Sequence, residues 1–533
     1  MKVPPLSLIN FTLLLGQIFS VSAGKILVFP LDGSHWVNMK VLIEELHAKG
    51  HEVTVIRPSD SWYISEKSPL YTSVTLPFKA GFEENFEKLL TPLLEIQLRA
   101  SSTYPWSDIW KGLQMRQAVV NQFNDLHKRV SEMIIEMFED KNLMRSLQNA
   151  KYDVVLTDPG IGGGAMLARW LQIPLVNNVR WTYIGEAHLL IAPSPMAYIP
   201  FTATELTDRM TFPQRVKNYL SYMIGMYTMS SMSYPHYEPV VRRYFGPDVD
   251  YSSFVLEADI WLMRTDFIFE FPRPTMPNIV YMSGFQCKPP KPLTADLEDF
   301  VQSSKDHGVI VMTLGTLVGK LPQDIAEEIA AAFAQLPQKV VWRYMGQRPV
   351  SLGNNTLLVD WLPQNDLLAH PKTRVFVSHG GTNGVQEAIY HGVPVVGLPI
   401  CFDQPDNLSR IKAKGGAVTV KFAMLDRHTF KDALMTVLYN SSYRENMQRL
   451  SRLHRDQPIN PLTHAVFWIE YVIRHKGARH LQAQSIKMSW FVYNSLDVIA
   501  VFLVVVLLLT FFCISIVRLL WRLFFVGKKV KRE

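Results

Sequence analysis

Cysteine is scarce: Cys287, Cys401 and Cys513 are the three thiols in 533 residues. They lie far apart, and Cys513 falls inside an uncharged apolar run, which excludes a disulfide framework and a cysteine-built metal centre. At most Cys287 and Cys401 could pair. A bias to one sign of charge is also missing from the body of the chain. Lysine and arginine number 54 against 47 acids, and Arg518, Arg522, Lys528, Lys529, Lys531 and Arg532 crowd the C-terminal end beside a lone acid, Glu533. The remainder is close to balance and lacks the basic face of a nucleic-acid-binding protein. There is no short-period repeat either, so solenoids and propellers are excluded. A composition of 48% hydrophobic against 19% charged residues excludes a disordered chain.

The apolar excess sits at the two ends. Residues 1–23 combine Lys2, an apolar stretch from Leu6 to Ile18 and the small-residue run Val21-Ser22-Ala23, the layout of a cleavable secretory signal. Val498 to Val517 is a run of 20 residues without a charge. At about 1.5 Å of rise per residue such a helix crosses the ~30 Å of a bilayer core. The basic residues beyond it belong on the cytoplasmic side, which puts the body in a lumen. The ending Lys529-Val530-Lys531-Arg532-Glu533 resembles C-terminal di-lysine retrieval signals, so a single-pass type I protein of the endoplasmic reticulum is expected. Glycosylation sequons stand at Asn10, Asn354, Asn407 and Asn440. Asn10 leaves with the signal and Asn407 lies in the motif described below, so Asn354 and Asn440 are the candidates.

Between the ends, short apolar runs alternate with helical periodicity. Strands are expected at Ile26–Phe29, Val53–Ile56, Asp153–Thr157, Pro174–Val176 and Ile260–Met263. A proline-rich stretch at Cys287 interrupts the pattern. A second series then runs through Val309–Met312, Val340–Trp342, Leu357–Val359, Val375–Val377, Val395–Val396 and Val418–Val420. The expected fold class is α/β, with two Rossmann-type doubly wound domains facing a cleft and ligands at the carboxyl ends of the strands. The expected boundaries are a signal at 1–23, a first domain at 24–286, a linker at 287–296 and a second domain at 297–455. C-terminal helices and a juxtamembrane segment follow at 456–497, then the span at 498–517 and the basic tail at 518–533. Residues 461–476 read as a late helix, with a return onto the first domain as one option. The Met- and Tyr-rich stretch Tyr219 to Tyr234 either lines an apolar acceptor pocket, packs in the core or rests on a membrane surface.

Chemistry concentrates in residues 361–407, WLPQNDLLAHPKTRVFVSHGGTNGVQEAIYHGVPVVGLPICFDQPDN. A strand at Val375–Val377, a tight turn at Ser378-His379-Gly380-Gly381 and a helix from Asn383 would aim unpaired amides and a positive dipole into the cleft, where a diphosphate fits. His379 and Asn383 add side-chain donors, and Gly381 permits close backbone approach. Trp361 offers a flat face to a base and Gln364 offers a donor and an acceptor to its edge. This segment resembles the signature of the UDP-glycosyltransferases, specifically the vertebrate UDP-glucuronosyltransferases, and the similarity extends from Gly24 through the tail. The resemblance implies a GT-B-like fold, an acceptor-binding first domain and a UDP-sugar-binding second domain. It assigns uracil to Trp361 and Gln364, the ribose to Glu387, and donor-sugar hydroxyls to Asp403 and Gln404. Thr313, Thr316 and Arg343 resemble further donor contacts. Arg264 resembles the arginine linked to the glucuronate carboxylate, a group that suits a guanidinium fork. UDP-glucuronic acid would be the co-substrate, with no cofactor and no catalytic metal.

On the acceptor side, His35 follows the first strand and is the expected general base, and the resemblance implies Asp158, after the strand at Asp153–Thr157, as the partner that orients it. The implied reaction inverts the anomeric centre and glycosylates a small lipophilic acceptor. Transfer of glucose or galactose to a lipid is the nearest alternative, and a non-catalytic lumenal subunit that keeps the fold is another. Homo- or hetero-oligomers would fit the resemblance. Gly160-Ile161-Gly162-Gly163-Gly164-Ala165 fits a dinucleotide fingerprint but lacks its acid, since the next strand ends in Asn177-Asn178. It therefore reads as a tight helix entry. Asp248-Val249-Asp250 reads as a surface turn rather than a metal motif. Gln386, next to Glu387, stands where the family often has an aromatic residue.

Overall fold

Val, Ile and Leu follow one another in these strands without polar alternation, the mark of strands covered on both faces, and such strands assemble in parallel. The computed structural model, which describes residues 23–98, 105–180, 187–315 and 318–526, bears this out. A first sheet of seven strands has the order β3-β2-β1-β4-β5-β6-β7, and a second of six has the order β10-β9-β8-β11-β12-β13. In the first, β1 is Lys25–Phe29, β2 Glu52–Pro58, β3 Thr72–Leu76, β4 Val154–Thr157, β5 Leu175–Val179, β6 Ile260–Met263 and β7 Ile279–Tyr281. In the second, β8 is Val309–Thr313, β9 Lys339–Arg343, β10 Thr356–Val359, β11 Thr373–Ser378, β12 Val395–Gly397 and β13 Ala417–Thr419. Every recorded pairing is parallel.

The strand order reverses direction once in each sheet, between β1 and β4 and between β8 and β11. At such a switch point the crossovers leave in opposite directions and a crevice opens at the carboxyl ends. Register then decides which residues share the crevice. Phe29 pairs with Thr157 across β1 and β4, and Thr313 pairs with Ser378 across β8 and β11. Residues just past these pairs, including His35, Asp158, Gly315 and His379, are therefore brought to the two crevices by strand pairing itself.

Both faces of each sheet are covered. Ile26, Val28, Leu156 and Leu262 of the first sheet pack with Leu42 of helix Ser34–Ala48 and with Ala465, Val466, Ile469 and Val472 of helix Pro461–His475. The late helix thus returns to the first sheet. Edge strands β3 and β7 have no counterpart in the sequence reading. Thr72–Leu76 is a polar-rich edge and Ile279–Tyr281 is a three-residue strand, both too weak to stand out as apolar runs. Cys287 and Cys401 are both free thiols, so the pairing left open for them does not form: they belong to separate packing environments, with Cys401 buried in the core of the second sheet.

The glycine run after β4 is explained by packing. A Cβ on Gly163 would lie 2.2 Å from the Phe29 ring, and one on Gly164 would lie 2.0 Å from the Thr157 hydroxyl. The helix Gly163–Leu171 therefore sits directly on β1 and β4. Asp250 caps the helix Tyr251–Leu256 by accepting from the Ser252 amide, as its turn position suggested. In helix Phe212–Phe245, Tyr219, Leu220, Met223, Ile224 and Tyr227 are exposed, while Met226, Met229 and Tyr234 pack against the core.

Residues 482–533 form a separate unit. Its helix Leu496–Trp521 is exposed along its length and is long and apolar enough to cross a bilayer. The signal expected at 1–23, except for Ala23, and the terminal Lys528, Lys529, Lys531 and Arg532 lie outside the described residues.

Gly163→Val would force the helix off the sheet. Overpacking of this kind costs about 1–3 kcal/mol, so thermal denaturation of the detergent-solubilised chain is expected to show a clear drop in Tm.

Candidate active site

At the first switch point, His35 begins helix Ser34–Ala48 and its Nδ1 lies 2.6 Å from Asp158 Oδ2. Asp158 is itself fixed, because its Oδ1 accepts from the Gly160 amide at 2.9 Å. With Nδ1 donating to the carboxylate, Nε2 of a neutral ring carries the free lone pair. Burial lowers the His35 pKa below its ordinary value; Asp158 opposes this, and the nearby cations of Arg180 and Arg264 add to it. The net effect keeps the ring neutral and able to accept a proton at physiological pH.

At the second switch point, helix Thr382–His391 starts at Gly381 without a side-chain cap, leaving its first-turn amides for a ligand. The His379 ring is wedged between two glycines: a Cβ on Gly315 would lie 2.7 Å from it and one on Gly381 2.5 Å from it. Gly315 also has φ +84, a conformation that favours glycine. Nδ1 of His379 is buried without a hydrogen-bond partner among the described residues, and burial takes its pKa down to about 4. Thr313 supports this loop by accepting from the Gly315 amide at 3.1 Å.

The remaining residues of the donor motif fall on the same side. Trp361 is 66% exposed, with the Arg343 guanidinium 5.7 Å from its ring centroid. Arg343 is a brace, donating to the carbonyls of Gly315 at 2.6 Å and Asp360 at 3.1 Å. Gln364 donates to Glu387 at 2.7 Å. Burial pushes the Glu387 carboxyl up to about 7, with the Gln364 bond opposing. Asp403 accepts from Thr382 at 2.6 Å and Asn407 at 2.9 Å. Burial raises its pKa, but Arg180, Thr382 and Asn407 outweigh that and hold the carboxyl below its ordinary value. The Gln404 oxygen instead accepts from the amides of Ile400 and Cys401, so in this state it shapes the loop. Asn383 is paired across the cleft, accepting from Asn38 at 2.7 Å. Thr316 lies outside the described residues.

Two arginines complete the crevice. Arg264, just past β6, is buried, and no nitrogen of its guanidinium has a hydrogen-bond partner among the described residues. Burial lowers its pKa to about 9, with Asp158 and Asp403 pulling the other way, so it is charged at neutral pH. A buried cation without a paired anion is costly. Arg180, just past β5, was missed in the sequence. It donates to Ser34 at 2.5 Å and approaches Asp403 at 3.9 Å, bridging the His35 turn to the opposite sheet. A signal was present: a charged residue directly follows an apolar strand of a parallel sheet. What the sequence lacked was the order β4-β5-β6, which sets Asp158, Arg180 and Arg264 in a row. Among the described residues, no group of three or more His, Cys, Asp or Glu could hold a metal ion.

Two doubly wound sheets with their switch points facing one cleft define the GT-B fold. The fold agrees with solved structures: spinosyn forosaminyltransferase SpnP covers 85% of this chain and 100% of its own at 16% identity and TM-score 0.54. The glycosyltransferase SnogD from Streptomyces nogalater covers 86% and 100% at 17% identity and the same TM-score, 0.54. The chain belongs to the UDP-glucoronosyl and UDP-glucosyl transferase family, whose model matches residues 24–532. It is 42% identical over 505 residues to UDP-glucuronosyltransferase 2A3 of Mus musculus, covering 93% of each chain. It is 41% identical over 529 residues to UDP-glucuronosyltransferase 2A2 of Homo sapiens, covering 98% of this chain and 97% of that one. It is an enzyme of sugar transfer.

Arg180→Met removes a cation that lowers the pKa of His35. The acid limb of the kcat/KM profile for sugar transfer is expected to move to higher pH, with activity at pH 7 reduced about tenfold, the scale of a lost short-range charge interaction. An unmoved limb would separate Arg180 from the site electrostatics.

Proposed function

We propose that the chain transfers glucuronic acid from UDP-glucuronate to a hydroxyl of small lipophilic acceptors with inversion, His35 serving as general base. The observation that carries this reading is the partnerless, buried Arg264 guanidinium, in electrostatic reach of both Asp158 and Asp403. A donor sugar held between those carboxylates meets a cation that a uronate would neutralise and a neutral hexose would leave unpaired. Discrimination by a buried polar group left without its partner is large, because the lone group keeps its desolvation cost.

In the step itself, His35 Nε2 takes the acceptor hydroxyl proton as the oxygen forms its bond to the anomeric carbon. The bond from that carbon to the β-phosphate oxygen breaks, and UDP leaves with the electron pair. Asp158 holds the ring tautomer and stabilises the imidazolium that forms. The amides at the start of helix Thr382–His391 meet the charge on the departing diphosphate, a type of contribution amounting to about 3–4 kcal/mol. Trp361 and Gln364 would take uracil, Glu387 the ribose, and Asp403 with Gln404 the sugar hydroxyls, Gln404 turning from its loop. Thr313, Thr316 and Arg343 would support the donor, and His379, Gly381 and Asn383 the diphosphate.

On this reading residues 24–286 form the acceptor-binding part and 297–455 the UDP-sugar-binding part. The apolar helix anchors a lumenal body to the endoplasmic reticulum membrane after removal of the leader. Asn354 and Asn440 are exposed and open to glycosylation, whereas Asn407 is buried and its amide donates to Gly380.

UDP release by solubilised membranes, comparing UDP-glucuronate, UDP-glucose and UDP-galactose on a panel of phenols and steroids, tests the donor. Release with UDP-glucuronate is expected, and preference for a neutral sugar would overturn the assignment. His35→Ala should lower kcat by about 10²–10⁴-fold. Asp158→Asn should also lower the plateau and, by removing a group that raises the His35 pKa, move the acid limb to lower pH. Ionised Glu387 accepts from ribose hydroxyls better than the protonated form, so UDP should bind more tightly as pH rises through about 7. Calorimetry on Glu387→Gln should remove that portion of the pH dependence, leaving the part that belongs to the nucleotide.

A further inference from the structure

Gln386 lies on helix Thr382–His391, three residues after Asn383 and directly before Glu387, and its side chain is buried. It does not face the cleft. Its Nε2 donates to the backbone carbonyl of Arg264 at 2.5 Å, and its Oε1 accepts from the Gly284 amide at 3.3 Å and the Gln286 side chain at 3.0 Å. One amide from the second sheet thus holds two segments that follow β6 and β7 of the first. An aromatic side chain at this position has no means of making these three contacts at once.

The segment held at Arg264 is clamped again two residues later. Asp266 Oδ2 lies 2.8 Å from His454 Nδ1, and Asp266 Oδ1 accepts from the amides of Ile268 and Phe269 at 3.0 and 2.9 Å. His454 in turn packs so closely on Gly284, which has φ +69, that a Cβ there would lie 2.3 Å from its Nε2. The chain from Arg264 to Asp266 is therefore tied at two points, to helix Thr382–His391 and to helix Ser441–Arg455. The Arg264 guanidinium, by contrast, has no hydrogen-bond partner among the described residues. The backbone is the part of Arg264 that these clamps place.

We infer that Gln386 is a positioning residue for donor selectivity: through the Arg264 carbonyl it sets the anion-binding guanidinium at a fixed distance from the helix that faces the diphosphate and, through Glu387, the ribose. The inference rests on the glucuronate reading of Arg264. It explains how a residue on the first sheet reads one end of a donor whose other end is held by the second.

The test uses the full-length enzyme with Gln386→Met, which matches the length and makes no hydrogen bond, and Gln386→Glu. Assayed above about pH 7, the value to which burial pushes neighbouring Glu387, the Gln386→Glu carboxyl is ionised: it still accepts from Gly284 and Gln286 but cannot donate to Arg264. The readouts are kcat and KM with UDP-glucuronate and with UDP-glucose, and Ki for UDP, which has no sugar. Both variants should lose about tenfold of the UDP-glucuronate over UDP-glucose preference in kcat/KM, chiefly through KM, while Ki for UDP stays within about twofold. In an Arg264→Met background, Gln386→Glu should add no further loss of preference, because residues acting through one another are non-additive. Equal weakening of UDP and UDP-glucuronate, or additive losses in the double variant, would make Gln386 a structural tie only and overturn the inference. A wild type that prefers UDP-glucose would instead overturn the donor reading, and that result is seen before any substitution is made. If Gln386→Met fails to fold, Gln386→Glu and the double variant decide alone.

Discussion

Parallel pairing of β1 with β4, and of β8 with β11, is the constraint on which the site depends. Each pairing puts two strand ends side by side that are distant in sequence, with Phe29 level with Thr157 and Thr313 level with Ser378. The crossovers then diverge and leave the crevice open. The His35–Asp158 pair is a consequence of the first pairing, and the placement of His379 against Gly315 is a consequence of the second. Close helix seating requires glycine at 163 and 164 in one half, and the His379 ring requires it at 315 and 381 in the other.

The electrostatics follow from the same packing. Five ionisable groups, His35, Asp158, Arg180, Arg264 and Asp403, converge in the crevice, and burial and neighbouring charges act differently on three of them. Asp403 is held ionised by Arg180 and two neutral donors, His35 is kept unprotonated, and Arg264 remains charged without a partner. The wall built on the first sheet thus carries both a proton acceptor, His35, and an unmet positive charge, Arg264. The two walls already touch through Asn38 and Asn383 and through Arg180 and Asp403.

Much of this was legible before any coordinates. Apolar runs without alternation marked the central strands, and the turn Ser378-His379-Gly380-Gly381 between a strand and a helix marked the anion-facing amides. His35 and Asp158 each closely follow a strand, but it was the family resemblance that singled them out. Edge strands β3 and β7 were not visible, since one is polar and the other is three residues long. Arg180 was hidden because its meaning comes from lateral strand order, which local periodicity does not encode. Gln386 stood out only as a departure from an aromatic residue. Its partners at Arg264, Gly284 and Gln286 are about 100 or more residues away in sequence, and only the packing of one sheet on the other brings them together.

The central claim is that the two switch points form one reaction site. A structure of the full chain with UDP-glucuronate and a phenolic acceptor bound tests it most directly. The account predicts the diphosphate on the amides at Gly381–Asn383, the carboxylate on Arg264 and the acceptor hydroxyl within hydrogen-bonding distance of His35 Nε2. A donor bound away from the β8/β11 crevice, or an acceptor hydroxyl remote from His35, would contradict it.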